Sequence, residues 1–250
     1  MLRIFILFFL CLQLGLAPIL AQNTTSGFQS PYNLSWQVDA PLGAVAIGVG
    51  TTYLILHSKT QVLSVAEIAA LDRNNISLFD RDATHNWSQP IKTTSDVFLY
   101  TSMAVPSLLF IDPKVQKDYL KVGTIWAQTF AMTAALTSLT KVLVKRPRPF
   151  MYNSNVPMHY KQEKDAQYSF FSGHTSVTAS MCFMTAKIYH DYNPNSKAVP
   201  WVWVGAAVVP AVTGILRNQT GKHFWTDIIT GYIIGAAVGI LVPELHKIKF

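Results

Sequence analysis

Seven stretches of this chain are apolar, and the polar residues collect between them. The first runs from Ile4 to about Leu16, behind Arg3 and ahead of Ala17, Pro18 and Ala21. A basic start, an apolar run and small residues before a polar segment form the pattern of a secretory signal. It predicts a cleaved segment over residues 1–21 and a single mature domain over residues 22–250. The alternative is an uncleaved first membrane helix. The other six are Pro41–Leu56, Val97–Ile111, Val122–Thr140, Thr175–Ala186, Ala198–Leu216 and Ile228–Pro243, and none contains a charged residue. A helix needs about 20 residues to span the hydrocarbon core, with about 17 as the lower limit. Val122–Thr140 and Ala198–Leu216 reach it. The others are short, and Thr175–Ala186 reaches it only if Lys187 snorkels to the interface.

Short apolar segments also describe the buried helices of a soluble protein. Three features favour the membrane. Trp201 and Trp203 open one segment, where interfacial anchors sit. Gly231, Gly235 and Gly239 recur every four residues, a small-residue face suited to close helix packing in lipid. The third is charge. Only 13% of the residues are charged while 50% are hydrophobic, against about 25% charged in a soluble domain. This excludes disorder and coiled coil. The longest polar stretch, Ser58–Asp96, reads as an extramembrane helix and loop, with Ser64 and Glu67 at capping-box spacing for a helix over Val65–Leu71. Cys11 and Cys182 are the only cysteines, too few for a disulfide framework or a structural zinc site.

Lys and Arg number 20 and Asp and Glu 13, a net charge of +7. In so apolar a chain the excess points to anionic lipid or phosphate, with no nucleic-acid partner implied. Where the charges fall sharpens this. Lys141, Lys145, Arg146 and Arg148 lie within eight residues at the end of one segment, and Pro147 and Pro149 fix the chain there. They are either membrane-end basic residues that set topology, or an anion clamp in which guanidinium forks grip phosphate oxygens. Ser169 to Ser176 precede the next segment. A Ser172-Gly173 turn into a helix presents backbone N–H groups and a positive dipole end to an anion, and His174 is placed to move a proton. The bland reading is a capped helix with a surface histidine. Between the last two segments come Arg217, Lys222, His223 and Asp227. His223 and Asp227 are four apart, hence on one helical face. A carboxylate bonded to one ring nitrogen leaves the other as nucleophile or base. The bland reading is an acid in the first turn of a helix. If each segment spans, all three clusters share one face. Too few His, Asp, Glu or Cys side chains gather there for a hydrolytic metal, so metal-free phosphoryl transfer fits better.

Together the clusters resemble the motifs of the type 2 phosphatidic acid phosphatase superfamily. Lys141 and Arg148-Pro149 match Lys-x6-Arg-Pro. Phe171-Ser172-Gly173-His174 matches Pro-Ser-Gly-His with Phe for Pro. Leu216-Arg217, His223 and Asp227 match Ser-Arg-x5-His-x3-Asp with Leu for Ser. The likeness covers roughly residues 95–243. It implies an all-α, six-helix transmembrane bundle of the phosphatidic acid phosphatase and vanadium haloperoxidase type. It implies a cofactor-free phosphatase acting on a phosphate monoester or diphosphate, most readily of an isoprenoid, glycerolipid or lipid A, with no protein partner. By this likeness His223 is the nucleophile, Asp227 orients its ring, and His174 is the general acid. Lys141, Arg148, Arg217, Ser172 and Gly173 bind phosphate. The expected location is a bacterial cell envelope with the site facing the periplasm or exterior. A cleaved signal followed by six spans would instead put the motifs on the cytosolic side. The alternatives are a secreted soluble acid phosphatase of the same superfamily and a vanadium haloperoxidase.

Overall fold

The computed structural model describes residues 29–248, so the expected signal and Cys11 lie outside the described residues. Ten α-helices form among them, where a bundle of six was expected. Six have 16 or more residues: α1 (Trp36–Ser58), α4 (Gln89–Ala104), α6 (Tyr119–Val144), α8 (Gly173–Tyr192), α9 (Val199–Gln219) and α10 (Trp225–Leu245). Four are single turns or little more: α2 (Val65–Ala69), α3 (Leu78–Arg81), α5 (Pro113–Lys117) and α7 (Met158–Lys161). Most of the long helices extend beyond the apolar segments, because uncharged composition marks only what lipid tolerates while the backbone goes on helically until a cap, whereas α4 ends at Ala104, seven residues before Ile111. Ser64 and Glu67 form the expected capping box at α2.

Four helical stretches are long and apolar enough to cross a membrane: Trp36–Ser58, Gln89–Ile111 (α4 with its 3₁₀ continuation), Val199–Gln219 and Trp225–Leu245. Val45, Ile47, Leu54, Val204, Val208, Ile233 and Leu241 stand exposed on them. A row of aliphatic side chains turned outward is costly in water and suits hydrocarbon; the chain is an integral membrane protein.

α6 and α8 are not among the four, although Val122–Thr140 was expected to span. They are the inner helices. α8 packs against α4, α6, α9 and α10, so its surroundings are protein and it can be polar. Ser176, Thr178, Ser180 and Thr185 are all buried on it, as are Thr129, Thr133 and Thr137 on α6. Most return their hydroxyls to the preceding turn, and Thr137 and Ser176 bond each other across the helices at 3.0 Å. The glycine face of α10 meets α8. A Cβ on Gly231, Gly235 or Gly239 would lie 2.7, 2.2 or 2.5 Å from the carbonyl oxygens of Ser172, Ser176 and Ser180. Two rows with the same four-residue spacing thus press backbone to backbone. Lys187 does not snorkel. It is 9% exposed, and Asp191 and Glu244 pair with it.

Candidate active site

The three motif clusters meet at the N-terminal end of α8. α6 ends on Lys145, which is left-handed (φ 48°), and the following Arg146-Pro147-Arg148-Pro149 turns back over the bundle. Of the four cations here only two face the site. Lys145 is exposed. Arg146 bonds Asp80 (2.9 Å) and Asp227, and its guanidinium lies 4.0 Å over the Phe224 ring. Lys141, one turn inside α6, lies beside Gly173, where a Cβ would stand 3.7 Å from its Nζ. Glycine there keeps the start of α8 open to the ammonium.

Arg148 is 3% exposed and all of its donors are engaged. Nε donates to the Asp165 carbonyl (2.8 Å), and Nη2 reaches both Asp165 carboxylate oxygens (2.9 and 2.8 Å). Nη1 donates to the Lys222 carbonyl (3.0 Å) and faces His223 Nε2 at 3.4 Å. His223 is 1% exposed, and its Nδ1 is 2.8 Å from the Ser169 carbonyl. A carbonyl only accepts, so the hydrogen of the neutral ring sits on Nδ1 and Nε2 carries the lone pair. Burial first, then the charges of Arg148, Lys141 and Arg217, hold His223 well below the ordinary histidine range. The same causes, burial and Arg148, bring Lys222 down to about 8; its ammonium lies 4.5 Å over the Phe150 ring.

His223 and Asp227 lie within ion-pair distance, but the expected hydrogen bond between carboxylate and ring is absent. His223 precedes α10, so helical spacing does not apply to it, and Asp227 Oδ2 is 3.8 Å from Nδ1. Asp227 is the N3 residue of α10. It accepts from the Phe224 N–H (2.9 Å) and from the Ser169 hydroxyl (2.5 Å). It thus holds the residue whose carbonyl holds the ring.

α8 begins at Gly173, with the Ser172 hydroxyl accepting from the Thr175 N–H. One residue in, His174 Nε2 lies 2.8 Å from Asp96 Oδ1. Asp96 also takes Lys92 (2.8 Å) and Arg217 Nη1 (3.4 Å), and Arg217 reaches the Ser95 hydroxyl at 3.1 Å. Arg217 is 3% exposed, and its Nε has no hydrogen-bond partner among the described residues. A buried guanidinium N–H left unpaired is costly and leaves capacity for an anion. Sequence reasoning missed Asp96, Asp165 and Ser95. Asp96 carried one usable sign, a lone acid at the mouth of an apolar segment. Asp165 carried none, since acids in loops are common.

Phe171, standing where the motif has proline, is 2% exposed, and its ring lies against α10 at Gly231. Among the described residues no group of three or more His, Cys, Asp or Glu side chains is arranged to hold a metal ion.

A bundle of apolar helices around a buried polar pair, carrying two histidines and three cations at one helix start, defines a helical membrane protein with a cationic, histidine-bearing candidate site. The PAP2 superfamily model matches residues 122–249, and the chain belongs to that superfamily. It is 23% identical over 151 residues to an undecaprenyl-diphosphatase of Sulfolobus acidocaldarius, covering 59% of this chain and 65% of that protein. It is 38% identical over 81 residues to a lipid A 1-phosphatase of Porphyromonas gingivalis (32% and 16%), and 28% over 129 residues to phosphatidylglycerophosphatase B of Bacillus subtilis (51% and 60%). The chain thus covers less than two thirds of each of these relatives. Among solved structures it resembles a transmembrane PAP2 type phosphatidylglycerolphosphate phosphatase from Bacillus subtilis. The TM-score is 0.51 at 20% identity, over 80% of this chain and 94% of that one. At that identity the likeness is one of fold.

Proposed function

We propose that the protein is a metal-independent lipid phosphatase that hydrolyses a phosphate monoester or diphosphate through a phosphohistidine. The observation that carries this is the state of His223. Its Nδ1 is held by a carbonyl, its Nε2 lone pair is free of a proton, and buried cations surround it. Nε2 attacks phosphorus, and the bond from phosphorus to the leaving oxygen breaks. His174 in its protonated form, which Asp96 stabilises against the burial that brings its pKa down to about 4, gives that oxygen its proton. Water then attacks phosphorus, the P–N bond breaks, His174 takes the water's proton, and inorganic phosphate leaves. Lys141, Arg148 and Arg217, with the Ser172 hydroxyl and the Gly173 N–H, hold the three equatorial oxygens, where transition-state charge spreads. Asp227 acts through Ser169, and Asp96 positions His174.

The similarity to an undecaprenyl-diphosphatase, a phosphatidylglycerophosphatase and a lipid A phosphatase supports a phosphorylated lipid as substrate. The relatives from Porphyromonas gingivalis and Bacillus subtilis support a bacterial cell envelope; the site is proposed to face the periplasm or exterior, against the cytosolic side that a cleaved signal and six spans would give. Phosphate release from a panel of lipid and soluble phosphates, without added metal, tests the reaction. Wild type is expected to turn over and to yield an acid-labile labelled protein. His223→Ala is expected to lose turnover by several orders of magnitude; undiminished release by this variant refutes the mechanism. Labelling of an introduced cysteine near Arg148 by an impermeant reagent in intact cells tests sidedness.

A further inference from the structure

An apolar groove of about 390 Å³ lies between α4 and α9, floored by α8. Val97, Thr101 and Val105 line one wall, Gly205 and Val209 the other, and Cys182 is on the floor. Its lining is almost wholly apolar. We propose that this groove takes the hydrocarbon chain of the leaving alcohol and sets the chain length the enzyme accepts. This rests on the phosphatase reading above.

Continuity with the site argues for this occupant. Val97 lines the groove and follows Asp96 in the chain, and Asp96 is bonded to His174, the group assigned to the leaving oxygen. That end of the groove therefore lies on the leaving-group side of phosphorus, away from His223. Depth follows from helix geometry. Cys182 is eight residues beyond His174, and Val209 eight residues before Arg217. At 1.5 Å per residue each is about 12 Å from the polar end. The groove therefore runs inward alongside the spanning helices, from the end next to Asp96 to an apolar floor. A phosphate monoester of a long alcohol has the same polarity order from head to tail.

Gly205 makes the idea testable without disturbing the fold. Gly205 lines the groove and a Cβ there meets nothing within 4 Å, so Gly205→Phe is the variant chosen to fill it. The probe is a series of linear alkyl phosphates, kept below their micelle concentrations. For wild type, kcat/KM is expected to rise with chain length, by at most about fourfold per methylene if each is fully buried, and to level off once the chain has filled the groove. For Gly205→Phe the rise is expected to stop several carbons earlier, while activity on p-nitrophenyl phosphate stays within twofold. Gly50→Phe on α1, also without atoms within 4 Å, should leave the profile unchanged. Parallel profiles for wild type and Gly205→Phe overturn the proposal, as does an equal effect of Gly50→Phe. Alkyl phosphonates, read by thermal shift, separate the groove from the chemistry. If stabilisation grows with chain length in wild type and not in Gly205→Phe, the groove stands even where no ester is hydrolysed. A shift independent of chain length overturns it.

Discussion

Asp96→Asn separates proton delivery from phosphate binding. The substitution keeps the shape and removes a charge that meets His174 at 2.8 Å, Lys92 at 2.8 Å and Arg217 at 3.4 Å. The first contact serves the leaving group and the last serves the phosphoryl oxygens. A hydrogen bond involving a charged group contributes about 1.5–3 kcal/mol, so a proton-transfer step that relies on the His174 contact should slow by roughly 10- to 150-fold. The Arg217 contact is longer, and Ser95 backs it at 3.1 Å, so phosphate affinity should change little. The assay compares an alkyl phosphate with p-nitrophenyl phosphate. The alkoxide needs a proton to leave; the nitrophenolate does not. The expected result is a large fall in kcat/KM, which reports only the steps up to phosphohistidine formation, for the alkyl ester and at most a few-fold fall for the aryl ester. Equal losses on both esters would refute the reasoning and assign Asp96 to the clamp through Arg217.

His223 ties stability to pH. Its folded pKa lies below the unfolded value near 6.5, so the unfolded state binds the proton first and stability falls as pH drops below 6.5. Below pH 6.5 wild type should lose stability more steeply than His223→Gln, read as a steeper fall in denaturation midpoint; parallel curves oppose it. Asp165→Asn removes the carboxylate that occupies Arg148, so inhibition by inorganic phosphate or vanadate should tighten several-fold; weaker inhibition would make Asp165 a support for Arg148. Gly235→Ala puts a Cβ 2.2 Å from a backbone oxygen of α8 and 2.8 Å from its Cα. Neither atom can rotate away, so the helices must separate, costing about 1–3 kcal/mol, measurable as a lower midpoint in detergent.

The sequence by itself determined the all-helical, membrane character of this protein. It also marked the two histidines and the cations Lys141, Arg148 and Arg217 as candidates for the site. Long uncharged segments have one economical solution in lipid, and the motif residues sit at segment ends, where a charge can meet water. The glycine row of α10 was legible too, because small residues at four-residue spacing serve one purpose. Tertiary structure decided the rest. Polar Thr- and Ser-rich α6 and α8 lie inside because other helices surround them, which their own composition does not say. The partner of each charge depends on which loop folds over it. Arg146 and Arg148 are two residues apart, yet one pairs with Asp80 and Asp227 and the other with Asp165. Asp227 meets Ser169, not the His223 ring, because α10 starts only after His223. Spacing assigns residues to a face only where the chain is already helical, and where the helix starts was a matter for the fold.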